Sequence, residues 1–440
     1  MSVGCLAVLN VFNYTQGMLN KQSIDAVEAS VFSRSFRKPL YDSYCFSNIP
    51  GTVEKLLTGE TEFSQLPADT ITGNAYDKIV LFFVDAFGWR FFERYREKYP
   101  VLQRFVKQGI ASKITSQFPS TTAAHVTTIH TGQRVDESGV FEWHYYEPKL
   151  DTIIAPLRFS YACEKEADGL QSVIDACELY PNTSIYQKLG DKGVNTYLFQ
   201  SCDYTPSSYG NVVTRGLRNQ NAFVDWEVAL GDLSKAVMEE DGKAYFYFYF
   251  GDIDSIGHRS GPNSDEFHEK ADRFFTKLEE LFVNVVQGQC GSTLMLMTAD
   301  HGQTDIDPAT TIYLNKELPE VVEWTRTNAK GELLAVGGSC RDMFLYIKDK
   351  YVCTAMEKIT TLLEGKAEVY LVDDLMKLGF FGDKPGKELK ARIGNICILP
   401  YQNDSVFWWE ENRYEQKFYG HHGGLTPAEM DTIFLALELA

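Results

Sequence analysis

Lys78-Ile79-Val80-Leu81-Phe82-Phe83-Val84, followed at once by Asp85-Ala86-Phe87-Gly88, is the stretch that decides the fold class. A strand with one wet face alternates apolar and polar residues. This run does not alternate, so both faces are predicted to be covered, as in a parallel sheet held between helices. Ala244–Phe250 and Thr293–Thr298 are two more runs of the same kind, and Asn195–Phe199 and Ile433–Leu437 are weaker ones. Between them Phe267, Ala271, Phe274, Phe275, Leu278, Leu281 and Phe282 fall on one face of a helix spanning Ser264 to Val286. Ser184 to Leu189 reads as the end of another helix, stopped at Gly190. Strands alternating with helices predict an α/β fold: a doubly wound, mostly parallel sheet flanked by helices. Residues 308–385 carry their own pattern, with Met343–Ile347 and Glu368–Val372 as strands around a helix from Thr354 to Leu363, and are expected to form a small inserted α/β cap. The expected division is an N-terminal arm over 1–74 packed on the core, a catalytic core over 75–307 and 386–440, and the cap.

The chain has 440 residues, 44% hydrophobic and 23% charged, the composition of a globular protein. With 42 basic and 60 acidic residues it carries a net charge of −18, which argues against a protein that coats nucleic acid. Bound metal ions can invert the local field, so an anionic substrate stays open. No run of about 18 apolar residues occurs, so no membrane span is expected. The opening MSVGCLAVLNVFNYTQG lacks a basic start and its apolar stretch is broken by Asn10, so no secretory signal is read there. Nine cysteines without a C-x-x-C pair fit reduced thiols and a cytoplasmic location. The glycosylation patterns at Asn13 and Asn182 carry no weight without secretion.

The chemistry lies at the strand ends. The first strand runs into Asp85, the second into Gly251-Asp252-Ile253-Asp254-Ser255-Ile256-Gly257-His258, and the third into Ala299-Asp300-His301-Gly302. Ligands of open α/β sheets bind outside the carboxyl ends of the strands. Asp85, Asp254 or Asp252, His258, Asp300 and His301 are thus expected along one edge. A single aspartate after a strand is usually a cap or turn residue, but three such ends together favour a metal site. Ahead of the final strand, Gly420-His421-His422-Gly423-Gly424 adds a histidine pair flanked by glycines. Mixed carboxylate and imidazole donors suit zinc, manganese or iron better than magnesium or calcium.

Phe118-Pro119-Ser120-Thr121-Thr122-Ala123-Ala124-His125 leads into a helix closed by Gly132. Ser120, Thr121 or Thr122 could simply cap that helix. A helix N-terminus is also an anion site, and a hydroxyl held there by a metal ion becomes a nucleophile near neutral pH.

In order along the chain, these motifs resemble the alkaline phosphatase superfamily, and most of all its nucleotide pyrophosphatase/phosphodiesterase (type I phosphodiesterase) branch. D-x-x-G-H followed by G-P is matched by Asp254, Gly257, His258, Gly261 and Pro262; D-H-G by Asp300, His301 and Gly302; G-x-H-G by Gly420, His422 and Gly423. The resemblance implies an alkaline phosphatase-like core and two divalent metal ions, zinc first and manganese second. One would be held by Asp254, His258 and His422, the other by Asp85, Asp300, His301 and the nucleophilic hydroxyl. Counting back from Thr131-Gly132 as in the family selects Thr122 as nucleophile, with Thr121 the runner-up. His421 and Asp252 then become neighbours, Asp252 replacing Asp254 if the register shifts by one pair. The implied reaction is hydrolysis of a phosphodiester or phosphoanhydride, with a small-molecule diester or a nucleotide as substrate, through a covalent phospho-threonine. The oligomeric state is left open.

The chain also departs from that branch. His125 stands where an asparagine is common, and Gly139-Val140-Phe141-Glu142-Trp143-His144 lacks the asparagine whose amide binds a phosphoryl oxygen. The backbone N–H of Thr122 remains as a donor, with His125 or His144 as helpers, while His130 reads as a core histidine. Monoesterases of the superfamily place an arginine directly after the nucleophile. Here Ala123 follows, and Arg134 and Arg158 lie elsewhere, which favours a diester. Phe141, Trp143, Tyr145 and Tyr146 could stack a nucleobase or simply pack. The competing expectations are a phosphonate hydrolase, a phosphomonoesterase, and an inactive metal-binding scaffold. A sulfatase lacks its C/S-x-P-x-R pattern here, and a cofactor-independent mutase would use serine and a differently placed cap.

Overall fold

The computed structural model describes residues 18–439; the opening segment, with Cys5 and the Asn13 pattern, lies outside them. Its centre is an eight-stranded sheet. In chain order the strands are β1 (Met18–Leu19), β2 (Lys78–Val84), β3 (Ile110–Thr115), β4 (Asn195–Ser201), β5 (Asn219–Phe223), β6 (Ala244–Phe250), β7 (Thr293–Thr298) and β8 (Asp431–Glu438). Across the sheet they run β1-β3-β8-β7-β2-β6-β4-β5. Only β8 is antiparallel, to β7 on one side and β3 on the other.

The unbroken apolar runs follow from burial on both faces. In β2, Ile79, Leu81 and Phe83 point into one core while Val80, Phe82 and Val84 point into the other. Strand β6 divides the same way, with Tyr245, Tyr247 and Tyr249 on one face and Phe246, Phe248 and Phe250 on the opposite one. Register sets the active edge: Val84 pairs with Phe250 and Phe83 with Thr298, so β2, β6 and β7 end level with one another. Among the described residues, no helix is long and apolar enough to cross a membrane.

Two helices matter for the site. Helix α1 (Thr122–Thr131) ends at Gly132, whose φ of 73° is the left-handed stop the sequence implies. Helix α2 (Asp252–Ser260) starts directly after β6, so the segment read as a strand end is helical. The helix read from Ser264 runs Asp265–Leu278 and continues through a wider turn at Glu279–Val283 to Val286. The segment read as a helix end is a whole short helix, Ile185–Asp191, capped by Ser184, and Gly190 lies inside it.

Residues 18–74 give β1 to the sheet edge and a helix, Ile49–Thr58, whose Ile49, Val53 and Leu57 enter the core that Ala123, Val126 and Ile129 of α1 share. The small unit is larger than 308–385. Its sheet orders Met343–Leu345, Ile396–Pro400 and Ala367–Leu371, all antiparallel, and its apolar cluster extends to Trp408 and Tyr414. Ile396 and Ile398 face that cluster while Cys397 and Leu399 face the main core. This strand is buried on both sides, so in sequence it looks the same as a strand of the main sheet.

Candidate active site

The start of α1 is pinned from two directions. Ser120 Oγ donates to Gly424 O at 2.7 Å, and Ser120 N donates to Gly423 O at 3.2 Å, tying the helix entry to the histidine-pair loop. Gly423 has φ 123°, and a Cβ there would lie 2.5 Å from Asp342 Oδ1, so no other residue fits. On the other side His125 Nδ1 donates to Thr121 O at 2.7 Å, while its Nε2 accepts from Gln117 N at 2.9 Å. His125 is fully buried, and burial pushes its pKa down to about 4. It braces the helix entry and does not face the site, contrary to its expected role as a helper.

The three hydroxyls thereby separate. Ser120 is structural. Thr121 occupies the N-cap without making a cap bond, and its Oγ1 is buried with no partner. Thr122 is the first helical residue, where the N–H groups lack partners within the helix and the dipole favours an anion. Its Oγ1 lies 3.2 Å from His301 Nε2.

Around Thr122 stand two donor clusters. The deep one joins Asp85 at the end of β2 with Asp300 and His301 after β7. His301 Nε2 lies 3.1 Å from Asp300 Oδ2 and 3.6 Å from Asp85 Oδ1. Asp300 Oδ1 accepts from Ala86 N and His301 N, Asp85 Oδ2 from the Tyr249 hydroxyl, and His301 Nδ1 donates to Gly302 O. Asp85 Oδ1 and Asp300 Oδ2 are left buried without a hydrogen-bond donor. Burial, with Asp300 and Asp254 nearby, drives the Asp85 carboxyl well above the carboxylate range. Burial also opposes charge on Asp300 and His301, but their mutual attraction outweighs it, holding the carboxyl low and the imidazole high.

The second cluster is shallower. Asp254 and His258 are one turn apart on one face of α2, with His258 Nε2 3.4 Å from Asp254 Oδ1. His422 Nε2 lies 3.2 Å from His258 Nε2 and 3.7 Å from Asp254 Oδ1. Both rings donate through Nδ1 to carbonyls, His258 to Gly420 O and His422 to Ser120 O, so two Nε2 lone pairs face each other. Gln303 Nε2 donates to Asp254 Oδ1 at 2.5 Å. The rings of His301 and His422 stack at 3.6 Å and join the clusters.

Both clusters fit divalent cations. Asp85 Oδ1 and Asp300 Oδ2 are buried acceptors without a donor, and facing imidazole lone pairs repel unless something positive lies between them. Carbonyl-anchored imidazoles are also how proteins orient metal-bound histidine. The donor atoms of Asp85, Asp300 and His301, and those of Asp254, His301 and His422, lie close enough to share an ion. The shifted register fails: Asp252 turns to Lys270 Nζ, 2.8 Å away. His421 lies against His258, ring centroids 4.9 Å apart, as a neighbour.

Two cavities meet at Thr122, Trp143 and Asp254. One, of about 340 Å³, is lined by His258, His421, His422, Glu142, His144 and the aromatic side chains of Phe407, Tyr414 and Phe418. The other, of about 460 Å³, holds Asp85, Arg158, Tyr204, Tyr209 and Tyr249. Arg134 is engaged with Asp136 at 3.2 Å. Of the aromatic group read at 141–146, only Trp143 reaches the cavities. Phe141 stacks on Tyr145 at 5.1 Å, and Tyr146 bonds Asp151. His130 is buried and held by the Tyr186 hydroxyl at 2.8 Å, and it also borders the larger cavity.

Three contributors escaped the sequence reading. Gln303 and Tyr249 carry no motif of their own. Glu142 is a buried carboxyl whose electrostatic neighbour, Asp342, is also buried and far away in sequence. Burial drives Glu142 up to about 7, and burial plus Glu142 drives Asp342 upward.

The description "Type I phosphodiesterase / nucleotide pyrophosphatase" belongs to the family model that matches residues 79–425. The rat ectonucleotide pyrophosphatase/phosphodiesterase family member 7 is 22% identical over 378 residues, 82% of this chain and 77% of that protein. Its mouse counterpart is 22% identical over 254 residues, 56% of this chain and 53% of that protein, so the chain spans about half of the mouse relative. In fold it is similar to murine ectonucleotide pyrophosphatase/phosphodiesterase 5, with TM-score 0.60 and 16% identity, covering 82% of this chain and 88% of that one. An inactive form of that murine protein is known in complex with AMP. Phosphonoacetate hydrolase from Sinorhizobium meliloti, in complex with phosphonoacetate, gives TM-score 0.56 and 18% identity over 83% of this chain and 92% of that one. With strand ends, helix entry and histidine loop all inside the matched span, this chain belongs to the type I phosphodiesterase / nucleotide pyrophosphatase family.

Proposed function

We propose that this protein is a metal-dependent hydrolase of phosphoric esters that cleaves phosphodiester or phosphoanhydride bonds with Thr122 as nucleophile. The observation that carries the reading is the Thr122 hydroxyl at the positive end of α1, 3.2 Å from His301 Nε2 and open to both cavities. Asp85, Asp300, His301 and Thr122 Oγ1 would hold one divalent ion, and Asp254, His258 and His422 the other; zinc suits these donors best, then manganese. Such a pair supplies Lewis-acid stabilisation of phosphoryl oxygens and lowers the pKa of a bound hydroxyl.

The chain's own part is positional. The first-turn N–H groups of α1 receive a phosphoryl oxygen. Thr122 Oγ1 attacks phosphorus in line and carries the phosphoryl group until water replaces it. His422, anchored to Ser120 O, and His258, anchored to Gly420 O, keep the departing side fixed. Ala123 offers no cation beside the nucleophile, and the nearest candidate, Arg158, lines the larger cavity; this favours a diester over a monoester dianion. A nucleotide is the first substrate class to try, as AMP binds the murine relative.

The test is turnover of the p-nitrophenyl ester of thymidine 5′-monophosphate against p-nitrophenyl phosphate and phosphonoacetate, with zinc or manganese and with chelator. Chelator-sensitive preference for the diester, lost in Thr122→Ala, is expected. Preference for the monoester or for phosphonoacetate would replace the phosphodiesterase reading.

A further inference from the structure

Gln303 sits where three segments of the site meet. It directly follows Asp300-His301-Gly302, and from there the chain pairs Thr304–Asp305 antiparallel with Gly420–His421. Its side chain is fully buried. Nε2 donates to Asp254 Oδ1 at 2.5 Å and to Asp254 O at 3.1 Å. Oε1 lies beside two motif glycines. A Cβ on Gly257 would overlap it, and a Cβ on Gly420 would come within 2.8 Å. Glycine inside a helix is unfavourable, so Gly257 in the middle of α2 needs a reason. The Gln303 amide supplies one, because both glycines clear the space it fills.

Chemistry fixes the direction of the amide. Oε1 is buried and meets no donor. Turned over, it would face the Asp254 carboxylate and the Asp254 carbonyl, two further acceptors. An unmet buried acceptor is a cost, and here it is borne so that the NH₂ group reaches Asp254. The oxygen held this way also faces the histidines: Asp254 Oδ1 lies 3.4 Å from His258 Nε2 and 3.7 Å from His422 Nε2. A carboxylate oxygen has two lone pairs. Gln303 takes one and leaves the other toward the imidazoles. His301, two residues earlier, belongs to the deep cluster, so one short stretch of chain mounts a donor in each cluster. Gln303 lines neither cavity, so its contact is with the ligand and not with substrate.

We infer that Gln303 is the positioning residue of the shallow cluster: its amide holds Asp254 Oδ1 in register with His258 and His422 and thereby sets the affinity of that cluster for a divalent cation. The inference rests on the reading that Asp254, His258 and His422 hold an ion. Asp254 rotates freely about its side-chain bonds without the amide, and an ion must then pay for ordering it. With the amide in place the carboxylate is already aimed.

The experiment strips the whole chain with chelator and titrates it with cobalt(II) and with zinc, in the wild type and in Gln303→Met, which keeps the length of the side chain and removes the donor. The metal equivalent missing in His258→Ala is the shallow one. In Gln303→Met that equivalent should weaken by about tenfold while the deep one is unmoved, and its visible cobalt spectrum should shift. Excess zinc should restore turnover. In an Asp254→Ala background the same substitution should weaken neither ion further, because the group it acts through is gone. Gln303→Asn, whose amide falls one methylene short, should repeat the loss and replaces Gln303→Met should that variant misfold. Equal affinities and spectra in folded variants, or a further loss in the Asp254→Ala background, would overturn the inference. Collapse of both variants in the metal-free state would overturn it too, by making Gln303 a residue of the fold alone. A wild type with no equivalent that His258→Ala removes would overturn the two-ion reading, and this inference with it.

Discussion

The two donor clusters are built from opposite materials. Asp85, Asp300 and His301 sit on level strand ends, at most 2% exposed, and their outward oxygens are met by backbone N–H groups and a tyrosine. Asp254, His258 and His422 come from one helix and a returning loop, their side chains 11–16% exposed. The deep cluster is assembled by the sheet itself. The shallow one depends on a tether: Ser120 to Gly423 and Gly424, and behind the loop the fully buried Arg341–Glu429 pair, with Glu429 accepting from Gly424 N at 3.0 Å. In the proposed reaction, fixed donors at strand ends would give affinity and hold the nucleophile, while tethered donors on the other side would adapt to different leaving groups.

The comparison is broken most severely at the deep cluster. Asp300→Ala should remove turnover by about a thousandfold or more and abolish binding of one metal equivalent by elemental analysis, because Asp300 orients both the first-strand turn and His301. Unchanged stoichiometry would mean that the deep cluster holds no ion.

At the shallow cluster the loss should be milder and reversible. His258→Ala should weaken one metal equivalent by about 10- to 100-fold and regain part of its turnover in excess zinc. If His258→Ala proves harsher and irreversible while Asp300→Ala is rescued, the ranking of the clusters is inverted.

The helix entry sharpens the contrast through pH. His125 is buried neutral with a pKa of about 4, against about 6.5 in the unfolded chain. A base whose pKa is depressed by folding stabilises the fold above its unfolded value and loses that contribution as pH falls from about 6.5 to 4. The cost is up to about 3 kcal/mol at the acid end. Melting temperature against pH should fall across that window, and His125→Gln should flatten the fall. An equally steep fall in that variant would remove His125 from the account.

The smallest effect belongs to the rejected register. Asp252→Asn breaks only a half-exposed pair with Lys270, so stability should change by less than about 1 kcal/mol, with metal content untouched. A lost metal equivalent there would shift the ligand set by one pair.

These contrasts were unequally visible in the sequence. The strand ends at Asp85 and Asp300 announce themselves because unbroken apolar runs occur only where a sheet is covered twice. The motif already favoured Asp254 over Asp252, and the helix supplies the physical reason, since Asp254 and His258 share a face at i and i+4. The boundary of the small unit was hidden because Ile396–Pro400 is buried on both sides and reads like any core strand. Glu142 and Asp342 were not legible: each is one carboxylate among 60 acidic residues, and the fold alone makes them electrostatic neighbours. His125 drew attention as a replaced asparagine, yet its burial beneath the helix entry is a tertiary fact.

The central claim is that Thr122 carries the phosphoryl group between the two clusters. The most direct measurement is acid-quenched peptide mass spectrometry of the metal-loaded protein mixed with the p-nitrophenyl ester of thymidine 5′-monophosphate. The account predicts a thymidylyl group on the peptide containing Thr122, absent in Thr122→Ala and absent with chelator. Turnover with the label on Thr121, or a label that survives in Thr122→Ala, would contradict it.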